Sequence, residues 1–416
     1  MTPQGRGGRA LGAMKQDERL TSVAMLLVCL CSWSLPLLTD PMLPALPVLR
    51  EAFAVPMPRV QLVFSLALAS FAVAQAFMGL WADRYGRRPV LLVGFALYVL
   101  GAALAGQASS FDELLVWRVV QSAGAAAGPV LARAIVRDVL PPSKAARAFS
   151  LLGLGMAAVP LFAPALSSKL LALYGWPGPF YFFLGYGVVV WCLVALLYRE
   201  TLPAKDLAAL QPARLVAALR EILSAKERVA ALATIGCGYS AIVVYMSTAP
   251  FVLKQWFGIA PAQLGLWITL SLAGFPVGSL LSLWLVKGIS GRVLQRGAAV
   301  FALGGLLQWV LCVAWPVHSP YAFVLPMTLL TAGWGLVQPQ LQAVTLAIAP
   351  ALVGRGSALL GVIQLGTGGL VAWVVSHFLD GAPTLTATLL AAGGFVAWGC
   401  AAATAALSRR GALLAR

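Results

Sequence analysis

Charged side chains are scarce in this sequence. Asp, Glu, Lys and Arg make up 10% of its 416 residues, against about 25% in a typical soluble globular protein. Acidic residues are the rarest, 13 against 29 basic ones. A water-soluble fold of this length cannot cover its surface with so few, so the composition excludes one and places the chain in a membrane. Histidine occurs only at His318 and His377, both in connecting segments, which leaves no metal cluster. All six cysteines (Cys29, Cys31, Cys192, Cys237, Cys312 and Cys400) lie within apolar runs. Cys29-Leu-Cys31 has neither the spacing nor the partners of a zinc or redox pair. With no nucleophile constellation and no soluble catalytic domain, neither an enzyme nor a bound cofactor is expected.

What the sequence has in abundance is apolar length. Twelve runs stand out, at 21–44, 61–82, 89–109, 112–133, 148–172, 177–198, 229–252, 262–286, 294–315, 320–343, 352–376 and 383–407. Each is near the ~20 residues that a helix needs to cross about 30 Å of hydrocarbon. Gly and Pro recur inside them, which membrane helices tolerate. The first run follows a polar, basic start and lacks a clear cleavage signal, so it reads as an uncleaved span. The fold class expected is an all-α membrane protein with twelve transmembrane helices.

The basic residues give the direction. With the N-terminus inside, 24 of the 29 fall in inner segments, and only Arg50, Arg59, Lys169 and Lys254 fall in outer ones. That is the positive-inside bias, and it puts both termini in the cytoplasm. The net charge of +16 is spread over short clusters between spans. It therefore reads as topology and contact with anionic lipid headgroups, not as a nucleic-acid surface. The longest polar stretch between spans lies halfway along. It divides the chain into a cytoplasmic tail 1–20, a six-helix bundle 21–198, a linker 199–228, a second bundle 229–407 and a tail 408–416. Within the linker, Leu215, Leu219 and Ile222 share a helical face, as in an amphipathic helix on the inner surface or a plain linker with local helix. Two six-helix bundles are what an alternating-access carrier needs.

Two ionisable groups remain at membrane depth, Asp40 and Arg118, both in the outer half. An unpaired charge there costs several kcal/mol. Asp40 is read either as a proton-coupling or substrate-contacting carboxylate, or as a cap on a helix broken at Pro41. Arg118 is read either as its partner in the bundle interior or as snorkelling to headgroups. Gln121, one turn on, faces the same cavity or hydrogen-bonds a neighbouring helix. Trp33, Phe64, Tyr239, Tyr245 and Trp334 are candidate cavity aromatics, with core or lipid-facing positions as the alternative. Few charges at depth suit a neutral or weakly charged small-molecule substrate.

The short inner loop after the second run is dense in signal: Gly79-Leu-Trp-Ala-Asp83-Arg84-Tyr-Gly86-Arg87-Arg88-Pro89. Gly86 permits a tight reversal, Pro89 suits a helix start, and Gly79 allows close approach of a neighbour. Asp83 needs a partner. Arg133 and Arg137 are candidates, as is the start of the eleventh span near Gly354-Arg355. Such a pairing would latch the two halves on the inside. The alternative is that the arginines enforce topology alone. Gly124-Ala-Ala-Ala-Gly128 and Gly274-Phe-Pro-Val-Gly278 fit small-residue packing stripes. Pro160 and Pro164 mark a kink in the fifth span, flexing or static.

These motifs resemble the major facilitator superfamily, and within it the bicyclomycin/chloramphenicol resistance (Bcr/CflA-like) drug exporters. Gly79-xxx-Asp83-Arg84-x-Gly86-Arg87-Arg88 is similar to the superfamily's loop between its second and third spans. Arg118-Val-Val-Gln121-Ser122-Ala-Gly124 is similar to its fourth-span motif, and Leu-Thr-Asp40-Pro-Met-Leu-Pro to the first-span pattern of the exporter subgroup. Leu131-Ala-Arg133-Ala-Ile-Val-Arg137-Asp138 resembles the end of that subgroup's fourth span. Pro160-Leu-Phe-Ala-Pro164 is similar to part of an antiporter-associated motif. Ser122 stands where the fourth-span motif has Gly, Ser167-Ser168 where the fifth-span region has a small Gly-rich pair, and Trp176 is followed by Pro177 and not Arg. The second half keeps a weak counterpart of the charged loop around Lys287–Arg292. The resemblance implies the major facilitator fold, with Asp40 and Arg118 in proton coupling. It further implies a monomer in a bacterial inner membrane that exports drug-like compounds in exchange for protons. A metabolite carrier working in either direction, or an uncoupled facilitator, is the alternative on the same fold.

Overall fold

In hydrocarbon a backbone can satisfy its own polar groups only within a helix, and every regular element among the described residues is helical. The computed structural model describes residues 25–140, 142–202, 205–206, 211–285, 291–347, 353–378 and 382–414. The tail 1–20, most of the loop at 287–292 and the last residues of the C-terminal tail lie outside them. The principal helices are α1 (Met25–Met42), α2 (Met57–Tyr85), α3 (Arg87–Ala105), α4 (Phe111–Val139), α5 (Pro142–Tyr174), α6 (Gly178–Leu197), α7 (Lys226–Gln255), α8 (Pro261–Leu285), α9 (Gly291–Ala314), α10 (Pro320–Thr345), α11 (Val353–Ser376) and α12 (Pro383–Leu414). Among the described residues, eleven are long and apolar enough to cross a membrane, while α5 contributes the shorter apolar stretch Ala158–Tyr174.

Several helices outrun the apolar runs that announce them. α2 continues through Asp83, Arg84 and Tyr85, and α4 continues to Val139. Caps, more than the edge of the hydrocarbon, set these ends. Gly86 closes α2 at φ +112°, a conformation that a side chain rarely adopts. Ser110 opens α4 by accepting the Glu113 N–H, and Asp112 and Glu113 complement the helix dipole. Pro261 and Pro320 begin α8 and α10, where a missing N–H costs nothing. α5 remains one helix through Pro160 and Pro164. The linker contains a short helix, Pro212–Leu223, packed on α7 and α11. It buries Ile222 fully, while Val216 and Leu219 are exposed.

The helices gather into two interacting bundles. In one, α3 packs on α4 and α6, and α2 on α4. In the other, α9 packs on α10 and α12, α7 on α12, and α8 on α10. They meet where α2 lies along α11 and α5 along α8. The small-residue stripes have specific partners. Gly124 abuts the Gly94 carbonyl of α3, and Gly128 the Cys31 carbonyl of α1. Gly274 and Gly278 abut the carbonyls of Thr328 and Ala332 on α10. A Cβ at any of them would run into backbone, so the helices lie as close as they do only because the side chain is missing. Gly79 is different: a Cβ there would meet Val130 of α4 at 3.6 Å, an ordinary contact, so close approach does not require this glycine.

This packing predicts that Gly278→Leu lowers the thermal unfolding midpoint of the detergent-solubilised protein by several degrees. Gly399→Leu, at a position with nothing within 4 Å, leaves it unchanged. Equal effects of the two would contradict the packing.

Candidate functional site

α1 is interrupted at two places. A turn at Trp33 precedes Ser34–Thr39, and a 3-10 turn follows over Asp40–Met42. Pro41 has no N–H to continue the ladder, so carbonyls near the break need other donors. Arg118 Nη2 donates to the Leu38 carbonyl at 3.2 Å, and the Ser167 hydroxyl donates to the Pro41 carbonyl. Asp40 sits in this turn, 3% exposed. Its Oδ1 accepts from the Thr39 hydroxyl at 2.9 Å, and its Oδ2 has no hydrogen-bond partner.

Arg118 is wholly buried. Its Nη1 donates to Gln121 Oε1 at 2.7 Å, and its guanidinium lies 5.9 and 5.6 Å from the ring centres of Phe180 and Phe183, close enough for cation–π attraction. The arginine therefore turns inward and does not snorkel, and Gln121 serves it as an acceptor. Ser122, in place of the motif's Gly, donates to the Arg118 carbonyl at 2.7 Å. No ion pair joins Asp40 and Arg118 among the described residues. The expected partnership is replaced by a backbone link, because the broken turn offers Arg118 a carbonyl two residues before the carboxylate.

The five candidate aromatics separate. Phe64, Tyr245 and Trp334 belong to the packed core. Tyr245 donates to or accepts from Ser271 at 2.5 Å and stacks on Phe323, while Trp334 packs against Phe301 and Gly238. Trp33 and Tyr239 are half-buried. Trp33 lies against Gly155 of α5, and Tyr239 of α7 lies within electrostatic range of Asp40. An apolar groove of about 240 Å³ between α7, α11 and α12, lined by Cys237, Ser240, Val244, Val371 and Val396, takes none of the five.

At the cation-rich end, the Gly86 turn is held by a carboxylate that sequence reasoning missed. Glu200, just beyond α6, accepts from the backbone N–H groups of Arg87 and Arg88 at 3.0 Å each. These are unpaired donors at the start of α3, where an anion is favoured. A Cβ at Gly86 would meet the same carboxylate. Arg87 Nη1 pairs with Asp83 at 2.6 Å and its Nε with Asp138 at 3.0 Å. Arg88 donates to the Ala195 carbonyl at 2.8 Å, and Arg84 lies over the Tyr85 ring. The expectation that Asp83 pairs with Arg133, Arg137 or the start of α11 is thus corrected. Arg133 is half-buried, and Arg137 is exposed within electrostatic range of Asp83 and Asp138. Arg87 reaches Asp83 first because it lies four residues on, across the turn. The network joins α2, α3, α4 and the segment after α6, all of the first bundle, and so does not latch the two bundles together in this structure.

At the opposite end, polar contacts join the two bundles. Lys254 of α7 pairs with Glu51. Gln61 Nε2 donates to the Ser247 carbonyl at 2.5 Å, and the Gly265 N–H of α8 donates to Ser168 Oγ of α5 at 2.9 Å.

Partial burial raises the Glu200 carboxyl, but hydrogen bonds from the N–H groups of Leu202, Arg88, Arg87 and Thr201 outweigh it and hold the group below its ordinary value. A depressed folded-state value means that this stabilisation is present above the unfolded value and is lost as pH falls through the folded one. Glu200→Gln is therefore expected to lower the unfolding midpoint at neutral pH, and its difference from wild type shrinks as the pH is taken below the usual carboxylate range. A difference independent of pH would contradict the capping role.

The chain matches the family model of the Major Facilitator Superfamily over residues 21–372. It is 26% identical over 380 residues to multidrug resistance protein MdtL of Shewanella oneidensis, covering 88% of this chain and 93% of that protein. It is 36% identical over 178 residues to MdtL of Klebsiella pneumoniae, covering 42% and 45%. Its fold is similar to that of a D-xylose-proton symporter, with a TM-score of 0.71 at 15% identity over 91% of this chain and 96% of that one. It is also similar to an inward-facing bacterial homolog of the human lysosomal transporter Spinster, with a TM-score of 0.68 at 17% identity over 93% and 94%. The chain belongs to the Major Facilitator Superfamily, as a multi-pass membrane transporter homologous to MdtL-type proteins, and is not an enzyme.

Proposed function

We propose that this transporter moves a small, neutral or weakly charged molecule across the bacterial inner membrane by alternating access, with Asp40 as the proton-responsive group. Twelve spans, six per bundle at 21–198 and 229–407, would flank the linker 199–228, with both termini cytoplasmic. The fold serves import and export alike, so a proton-coupled carrier of a metabolite, or an uncoupled facilitator, is the broader reading. Export of amphipathic, drug-like compounds in exchange for protons is the narrower one. It is supported by the relatives' name, multidrug resistance protein, and by the Bcr/CflA-like motifs around Asp40 and Arg118.

The observation that carries coupling is the buried Asp40 carboxylate, with one oxygen unpartnered, in a broken turn packed on α5 and within electrostatic range of Tyr239 on α7 of the other bundle. An acid held at that depth changes the electrostatics of its surroundings each time it gains or loses a proton. A proton crossing with the potential gains about 2.3 kcal/mol per 100 mV, enough to drive an uphill exchange. Arg118, already held by Gln121, a carbonyl and two rings, serves as a fixed positive neighbour.

Everted vesicles energised to pump protons inward, tested against a diverse compound panel, read direction and coupling together. Proton-dependent accumulation indicates export from the cell. Asp40→Asn is expected to reduce that accumulation at least tenfold while leaving expression and unfolding midpoint near wild type. Wild-type accumulation in the variant removes Asp40 from coupling, and accumulation insensitive to the proton gradient in the wild type favours the facilitator.

A further inference from the structure

Ser167 and Ser168 stand next to one another on α5, both buried to within 1% of full burial, and they reach in different directions. Ser167 donates to the Pro41 carbonyl in the turn that carries Asp40. Ser168 accepts the Gly265 N–H of α8, in the other bundle, at 2.9 Å. Gly265 is confined at the same place, because a Cβ there would run into the Pro164 carbonyl and the Ser168 hydroxyl. A single peptide unit of α5 thus touches both the broken turn and the surface on which the bundles meet. A glycine at either position supplies neither hydroxyl, so these two bonds are features of the residues this chain carries.

We propose that Ser167 and Ser168 are positioning residues that tie the Asp40 turn to the α5–α8 contact, so that a change in the turn is felt as a change in how firmly the bundles close at this end. The inference rests on the reading of Asp40 as the proton-responsive group. When the turn shifts, the Pro41 carbonyl moves with it. Ser167 follows or loses its acceptor, and the adjoining Ser168 cannot keep both its place on α5 and its bond to Gly265. Among the described residues, Arg118 of α4 bonds two residues from Asp40 and Tyr239 of α7 lies within its electrostatic range, while Lys169, next to Ser168 on α5, is exposed. α5 meets the turn through the Ser167 hydroxyl, which does not titrate, and the Asp40→Asn variant shows whether a pH response carried by α5 starts at Asp40.

The test needs no substrate. Spin labels are placed at Ala52→Cys and Gln263→Cys, both exposed and at the end where the bundles meet, in the full chain with its native cysteines replaced. Distances are measured in lipid nanodiscs across a pH series. The expected result is a wild-type distance distribution that shifts with pH, a shift lost in Asp40→Asn, and a shift at least fivefold smaller in Ser167→Ala but retained in Ser167→Thr, which keeps the hydroxyl. Ser168→Ala lowers the closed-to-open ratio about fivefold where the wild type is closed, as loss of one hydrogen bond predicts, and reduces the pH shift as Ser167→Ala does. A full response in Ser167→Ala, with the Asp40→Asn response lost, overturns the tie and leaves the Asp40 reading standing. A wild type with no pH response, or an Asp40→Asn variant with the full response, overturns that reading and the tie with it. Unfolding midpoints of the same variants separate a lost response from a lost fold.

Discussion

A backbone carbonyl released inside hydrocarbon must find a donor, and the break in α1 depends on that requirement. Pro41 cannot supply its N–H, and the turn over Asp40–Met42 departs from α geometry. Donors come from two different helices, Arg118 on α4 and Ser167 on α5. Once Arg118 is committed to the Leu38 carbonyl, Gln121 accepts from its other Nη and Phe180 and Phe183 face its charge, while its Nε stays unpartnered. The chemistry around Asp40 and Arg118 thus follows from a proline and from the cost of an unpaired backbone group in lipid.

The two ends of the molecule use polar contacts differently. At the cation-rich end, Asp83, Arg87, Asp138 and Glu200 knit α2, α3, α4 and the segment after α6 into one unit. At the opposite end, Glu51–Lys254, Gln61–Ser247 and Ser168–Gly265 join one bundle to the other. The first set rigidifies a body and the second holds two bodies together. Glu51 and Lys254 are partly in solvent, so their pair contributes little by itself. The buried amide and hydroxyl contacts beside it carry more, because water does not compete for them. That suits a closure that must come apart repeatedly.

Hydropathy and charge made the helical architecture legible, since lipid leaves a chain few alternatives to helices and the basic clusters mark the ends. The stripes at Gly124–Gly128 and Gly274–Gly278 were legible as close contacts, though their partners were not. Local motifs located Gly86 and Arg118. They misassigned the partner of Asp83, because the motif's arginines all lie near enough to serve and only the turn geometry selects Arg87. Glu200 left no local signal. It lies more than a hundred residues from the turn it caps, and its role exists only once α6 returns to that end. Ser167 and Ser168 were visible as departures from a pattern, but the meaning of a hydroxyl there depends on Pro41 and Gly265, both distant in sequence.

Asp40 and Arg118 differ in what the fold does for their charges. Arg118 has a carbonyl, an amide oxygen and two ring faces arranged around it before any ligand arrives, so its charge is part of the static structure. Asp40 has one neighbouring hydroxyl for two oxygens and sits in the least regular turn of its helix. Arg118 keeps one unpartnered nitrogen, its Nε, but both Nη atoms are fixed by protein acceptors, whereas Asp40 Oδ2 takes a partner from whatever conformation supplies one. If the bundles move relative to one another, Tyr239 on α7 is the titratable group of the other bundle that moves with respect to Asp40, while Thr39 moves with it. The environment of the carboxylate therefore differs between conformations, and by linkage its protonation shifts their populations.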